Sequence, residues 1–147
     1  MAPGEGERPE ALGAEARLEA LALCHPEELE ALADKVLTGT GVEVLAGPEV
    51  AVAPLRVPGA EGAGSVVVGR VPMTRCALRL DGVRGDAIVP GRSVRAALAA
   101  AVLDAEAERG GARALAVESM ARAALDRRRA DLATEAAGVA ATRSGSP

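Results

Sequence analysis

A chain of 147 residues with a formal net charge of −4 and no Phe, Trp or Tyr is long enough for one compact domain, whose core must be built from Leu, Val and Ala. Without aromatics it has no stacking platform for single-stranded nucleic acid, and the net negative charge also argues against a nucleic-acid partner. No run of about 18 apolar residues exists to span a membrane, and one His and two Cys without CxxC or HxxxH spacing are a poor metal inventory, so no metal or cofactor is expected.

The acidic, Gly- and Pro-containing start lacks the basic and apolar regions of a signal peptide, which makes the cytoplasm the expected compartment. Cys24 and Cys76 are then expected as free thiols. An aromatic-free core buries less area per residue, so modest stability alone and reliance on partners are expected. The bias to 16 Arg over one Lys, with 34 Ala, fits a GC-rich coding sequence better than a function. Charge is uneven: residues 1–69 carry a net −8 and residues 70–129 a net +5. The basic middle suits an anionic substrate, an acidic partner or a solvated face with balancing carboxylates.

In chain order, an Ala-, Leu- and Glu-rich helix is predicted over 10–23. A second begins at Pro26, where a residue without an N–H belongs, with Glu27 and Glu28 complementing the dipole. Leu29, Leu32, Ala33, Val36 and Leu37 recur at helical spacing, and 38–41 (Thr-Gly-Thr-Gly) ends the run. Short strands are predicted over 42–45, 50–57, 65–70, 74–80 and 83–89, with a glycine-rich loop at 58–64. In the fourth strand Cys76, Leu78 and Leu80 alternate with Arg75, Ala77 and Arg79, the pattern of a half-buried strand with two arginines on the open face. Asp81-Gly82 is a hairpin signal, because both residues tolerate positive φ. Ser93 is a suitable N-cap for a helix whose apolar stripe is Val94, Leu98, Ala101, Val102 and Ala105, ended by Gly110-Gly111. A last helix covers about 112–141, with a break near Gly138. The fold class is α+β: N-terminal helices, a small antiparallel sheet with an Asp-Gly hairpin, then C-terminal helices.

Candidate chemistry is sparse. At Gly91-Arg92-Ser93 a helix start offers unpaired N–H groups, a glycine lets an anion approach, and Arg92 adds a charged fork, so a phosphate or phosphonate could bind there. A tight turn with a cap and an exposed arginine explains the same residues. Arg75 and Arg79 either bind an anion or pair with acids across the sheet. Cys24-His25 invites a catalytic reading, but sequence neighbours rarely face each other, and His25 stands where a helix cap would. Arg127-Arg128-Arg129 reads as a solvated helix face. No acid–base pair, nucleophile set or phosphate cradle is recognisable, and the residues alone describe a small α+β binding or assembly domain.

The stretch 74–80, Thr-Arg-Cys-Ala-Leu-Arg-Leu, followed by Asp81-Gly82, Gly85, Val89-Pro90-Gly91-Arg92 and Leu103-Asp104-Ala105, resembles the PhnG family, the G subunits of bacterial carbon–phosphorus lyase. Leu21-Ala22, Pro26 to Leu29 and the Ala-Thr-Arg at 141–143 extend the likeness. Ser93 replaces the family's Asp but is also an N-cap, and the tail after Arg143 lacks the family's aromatics. The resemblance implies one PhnG-like domain over 10–143 between disordered 1–9 and 144–147. It also implies a subunit of a core complex with the H, I, J and K proteins. With H, I and L, the family supports displacement of adenine from ATP by a phosphonate, giving ribose 1-phosphonate 5-triphosphate. The family places nucleosidase chemistry in I and radical cleavage in J, so no catalytic residue is expected here. Arg75, Arg79, Gly91, Arg92 and Ser93 are candidates for partner or anion binding. A diverged stand-alone interaction domain is the alternative, and a small enzyme using Arg75, Cys76 and Arg92 is a third.

Overall fold

The computed structural model describes residues 10–62 and 64–144; of the termini expected to be disordered, 1–9 and 144–147, residues 1–9 and 145–147 lie outside the described residues and Ser144 is the last residue of the final helix. The order is α1 (Ala14–Leu23), α2 (Pro26–Leu37), β1 (Val42–Pro58), β2 (Ser65–Leu80), β3 (Val83–Pro90), α3 (Val94–Glu108) and α4 (Ala114–Ser144). The strands form one antiparallel sheet in the order β1-β2-β3. Leu80 pairs with Val83 across Asp81 (φ 47°) and Gly82 (φ 84°). The α+β architecture is the one the sequence pattern suggests.

Pro26 opens α2, whose first turn holds Glu27 and Glu28 and whose last turn holds Lys35. Leu29, Ala33 and Val36 face the core. α1 starts four residues later than its composition suggests, because the preceding segment is engaged elsewhere. The Leu12 N–H donates to Glu118 Oε1 (2.7 Å) and Arg122 donates to the Glu10 carbonyl, pinning 10–12 to α4.

The four strand segments expected over 42–57 and 65–80 are two long strands. Glycines and prolines at 47–48, 69 and 72 read as interruptions, but the ladder runs through them: register shifts fall between Val44 and Ala46, Ala46 and Glu49, and Leu55 and Arg56, and Pro72 pairs with Val52 in unbroken register. β3 spans only Leu80 to Met73 of β2. The body is therefore three strands wide, and the distal part, 52–58 with 65–72, is a two-stranded arm.

α3 lies on the inner face of β2 and β3, with α1, α2 and α4 packed around it. Almost every residue from Ala96 to Glu106 is buried, leaving Val94 at its start exposed. The expected one-sided stripe is thus a helix buried on all sides. Its seven alanines (96, 97, 99, 100, 101, 105 and 107) keep it thin enough for close neighbours. At Gly85 the approach is closest: a Cβ there would overlap the Ala101 carbonyl and come within 2.7 Å of Ala105 Cβ. Ser93 caps the helix, its Oγ accepting the Ala96 N–H (3.2 Å). α4 is continuous through Gly138, so the predicted break is absent. One glycine costs only about 1 kcal/mol in a helix and does not by itself end it. From 126 to 139 every residue of α4 is exposed.

Candidate functional site

The Gly91–Ser93 turn joins the sheet to α3. Gly91 adopts φ 87°, its N–H donates to the Pro72 carbonyl (2.8 Å), and its own carbonyl accepts the buried Thr74 hydroxyl (2.7 Å). Thr74, the first residue of the family-like strand motif, therefore holds the turn. Ser93 is occupied as the cap. Arg92 is exposed and makes no hydrogen bond or ion pair among the described residues, so its guanidinium is available to an outside carboxylate or anion.

Arg75 and Arg79 lie on the open sheet face, where the register sets acids opposite them. Glu49 faces Arg75 and Glu43 faces Arg79. Arg75 Nε meets Glu49 Oε1 at 2.6 Å, and Arg79 Nη1 lies 3.7 Å from Glu43 Oε2. Of the two uses open to these arginines, cross-strand pairing is the one observed. Arg75 and Arg79 hold acids of β1, whereas Arg92 holds none among the described residues, so the candidate arginines do not share one set of partners.

A cleft of about 620 Å³ opens between the N-terminal end of α1 and the three strands, reaching Asp104 of α3. Ala77, Ala87 and Leu18 contribute apolar surface, and Arg75 and Arg84 contribute charge. Arg84 is neutralised by Asp86 (3.0 Å), whose hydrogen bond raises the guanidinium above its usual value. Both cations of the cleft therefore hold internal carboxylates.

Beside it lies a buried polar cluster that local sequence patterns do not disclose. Arg17, 5% exposed, donates from Nε to Asp104 Oδ1 (2.6 Å) and from Nη2 to Glu108 Oε2 (2.7 Å), while Asp104 Oδ2 accepts the Asp86 N–H (2.9 Å). Burial alone would lower the Arg17 guanidinium. The bonds to Asp104 and Glu108 outweigh it and hold the group above its usual value. Asp104 thereby ties α1, α3 and β3 together. The one available signal was a carboxylate inside the apolar run 96–105. Glu106, 1% exposed, similarly accepts Arg109 Nε (2.6 Å) and the Arg113 N–H (2.8 Å), closing the α3–α4 turn.

The cysteines are free and buried. Cys24 donates to the Ala20 carbonyl at 3.4 Å, and burial, aided by Glu28, pushes its thiol up to about 11. His25 occupies the α2 cap position without a side-chain bond and is exposed. A buried thiol held in its protonated form is a poor nucleophile. The Cys76 thiol is raised too, by burial and then by Asp86. Arg129 approaches Asp126 (3.8 Å) on the solvated part of α4, and Arg127 and Arg128 are exposed beside it. Among the described residues no group of three or more His, Cys, Asp or Glu could hold a metal ion, and no helix is long and apolar enough to cross a membrane.

No curated protein matches the chain significantly. The profile of the phosphonate metabolism protein PhnG matches residues 14–144, from the first residue of α1 to the last of α4. That match spans all seven elements, including the Thr74 turn anchor, the Gly85 approach and the Asp104 junction, and the chain belongs to the PhnG family of phosphonate metabolism proteins.

Proposed function

We propose that the chain is a non-catalytic subunit of the carbon–phosphorus lyase core complex. In this reading it assembles with the H, I, J and K proteins and supports formation of ribose 1-phosphonate 5-triphosphate from ATP and a phosphonate, while the I subunit carries the nucleosidase site. The observation that carries this is the family match over 14–144. The internal engagement of the reactive groups supports it: Cys24 is buried and protonated, and Arg75 and Arg84 hold their own acids. Arg92, by contrast, is exposed at a hydrogen-bonded turn and unpaired among the described residues, and its role in this reading is to grip a carboxylate of a partner subunit.

The test has two arms. The purified chain alone should release no adenine from ATP, with or without a phosphonate. Co-expressed with H and I, it should co-purify and melt at a higher temperature, because a partner that binds only the folded state stabilises it. Turnover by the isolated chain that a point substitution abolishes, or failure to co-purify, refutes the reading.

A further inference from the structure

Beyond Met73 the sheet loses its third strand. β3 stops at Pro90 opposite Met73, and Gly91 closes onto Pro72, so from 65 to 71 β2 is paired only with β1. Val52, Leu55, Val66, Val67 and Val68 of this arm are 45–57% exposed. A lone two-stranded ribbon is marginal in water and needs a third strand or a covering layer. The run 65–71, Ser-Val-Val-Val-Gly-Arg-Val, is rich in β-branched residues with a single charge, the composition that pairs with another chain wherever its edge is open.

The two edges of the arm differ. Within the arm β1 carries Pro54 and Pro58, residues that blunt a strand edge, and the register shift between Leu55 and Arg56 leaves its extra residue, Val68, on β2. β2 has no proline from 65 to 71, and apart from the single bulge at Val68 its edge lacks no backbone N–H for pairing, directly in line with β3.

Charge then selects the occupant. Arg75, Arg79 and Arg84 in the body hold Glu49, Glu43 and Asp86. Arg56, Arg70 and Arg92 have no ion pair or side-chain hydrogen bond among the described residues. Arg70 stands opposite Pro54, two residues from Arg56, and Arg92 follows the Gly91 that bonds Pro72, two residues from Arg70. Arg70 and Arg92 thus stand at the open edge and Arg56 one strand in, opposite Val67, all three uncompensated among the described residues. We propose that β2 residues 65–71 accept an extended acidic segment of a partner subunit as a third strand in line with β3. Its backbone pairs with β2, its apolar side chains cover the valines, and its carboxylates meet Arg56, Arg70 and Arg92. A second copy of this chain fits less well, because self-pairing of the arms sets two groups of unpaired arginines against each other.

This rests on the subunit reading, and the experiment separates the two. Full-length chain, free and in the complex co-expressed with the H, I, J and K proteins, is compared by amide hydrogen exchange. Amides 66–71 should exchange at least ~10-fold more slowly in the complex, while the outer edge of β1 is unchanged. The Arg56→Glu/Arg70→Glu/Arg92→Glu variant, folded by circular dichroism, should bind the complex at least ~10-fold more weakly. A complex that forms while 66–71 exchanges as in the free chain overturns the strand addition and leaves the subunit reading intact. Absence of any complex overturns both. Concentration-dependent protection of 66–71 in the chain alone makes a second copy the occupant and overturns the acidic partner.

Discussion

Asp104→Ala tests whether one carboxylate organises this fold. The substitution removes the partner of Arg17 Nε and orphans the Asp86 N–H in one step. Removing one member of a buried ion pair costs about 3–5 kcal/mol when the other charge is stranded. Arg17 is not fully stranded, since Glu108 stays at 2.7 Å with a side chain 54% exposed to water, so the electrostatic loss is nearer ~2 kcal/mol. The unpaired, part-buried N–H adds about 1 kcal/mol. The expected total is about 3 kcal/mol, a large fraction of the ~5–15 kcal/mol that holds a domain folded. Urea denaturation of the full chain reads this directly: with a slope near 2 kcal/mol/M, the midpoint falls by about 1.5 M. Arg17→Met completes a double-mutant cycle, and the coupling between the two positions should exceed about 1 kcal/mol. A loss below ~0.5 kcal/mol, or two substitutions that simply add, would refute the idea that Asp104 joins α1 to α3 and β3.

Gly85→Ala drives a Cβ into the α3 backbone at Ala101; a loss of about 3 kcal/mol is expected, at the upper end for overpacking because backbone cannot rotate away, and near-neutral urea unfolding would contradict it. The raised Cys24 thiol favours the neutral form in the folded state, so its contribution is complete below pH ~9 and lost as pH rises toward 11. Stability measured from pH 8 to 11 should fall more steeply in wild type than in Cys24→Ala, and equal slopes would deny the burial of that proton. Arg92→Ala should leave unfolding within ~0.5 kcal/mol of wild type yet weaken assembly by about 2 kcal/mol. Ser93→Ala should cost about 1 kcal/mol of folding stability through the lost cap. Calorimetric melting of both variants beside titration against the H and I proteins distinguishes these roles, and unchanged binding by Arg92→Ala removes the arginine from any interface.

What the sequence disclosed was local. Pro26 marked a helix start, Ser93 marked a cap, and the alternation around Cys76, Leu78 and Leu80 marked the inner face of β2. Each depends on residues within a turn or a pleat of one another. Strand length was illegible because a bulge and a strand end use the same residues, Gly and Pro, and only the partner strand decides between them. The pairing of Arg75 with Glu49 and of Arg79 with Glu43 depended on β1–β2 register, which the bulges shift. Arg17 and Asp104 lie 87 residues apart, and no periodicity connects them. Of the candidate site, the Gly91–Ser93 turn was visible, but the hydroxyl of Thr74 that anchors it was not.

The missing aromatics bear on both halves of this molecule. With Leu, Val, Ala and two Cys but no rings, the body packs through thinness: Gly85 and the alanines of α3 bring backbone close to backbone, and the buried Asp104 and Glu106 link the elements around α3. Such a core is directional, because each buried carboxylate accepts from two named donors, and it tolerates little repacking. It also leaves nothing to cover the arm, whose valines extend past the last helix that could reach them. A body locked by polar pins and an arm with an open edge divide the work in space: the first holds the Arg92 turn rigid, and the second offers backbone pairing beside it. An acidic strand arriving at that corner would meet a fixed charge and a free edge together, which is why the arm and the turn are better explained as one surface than as two.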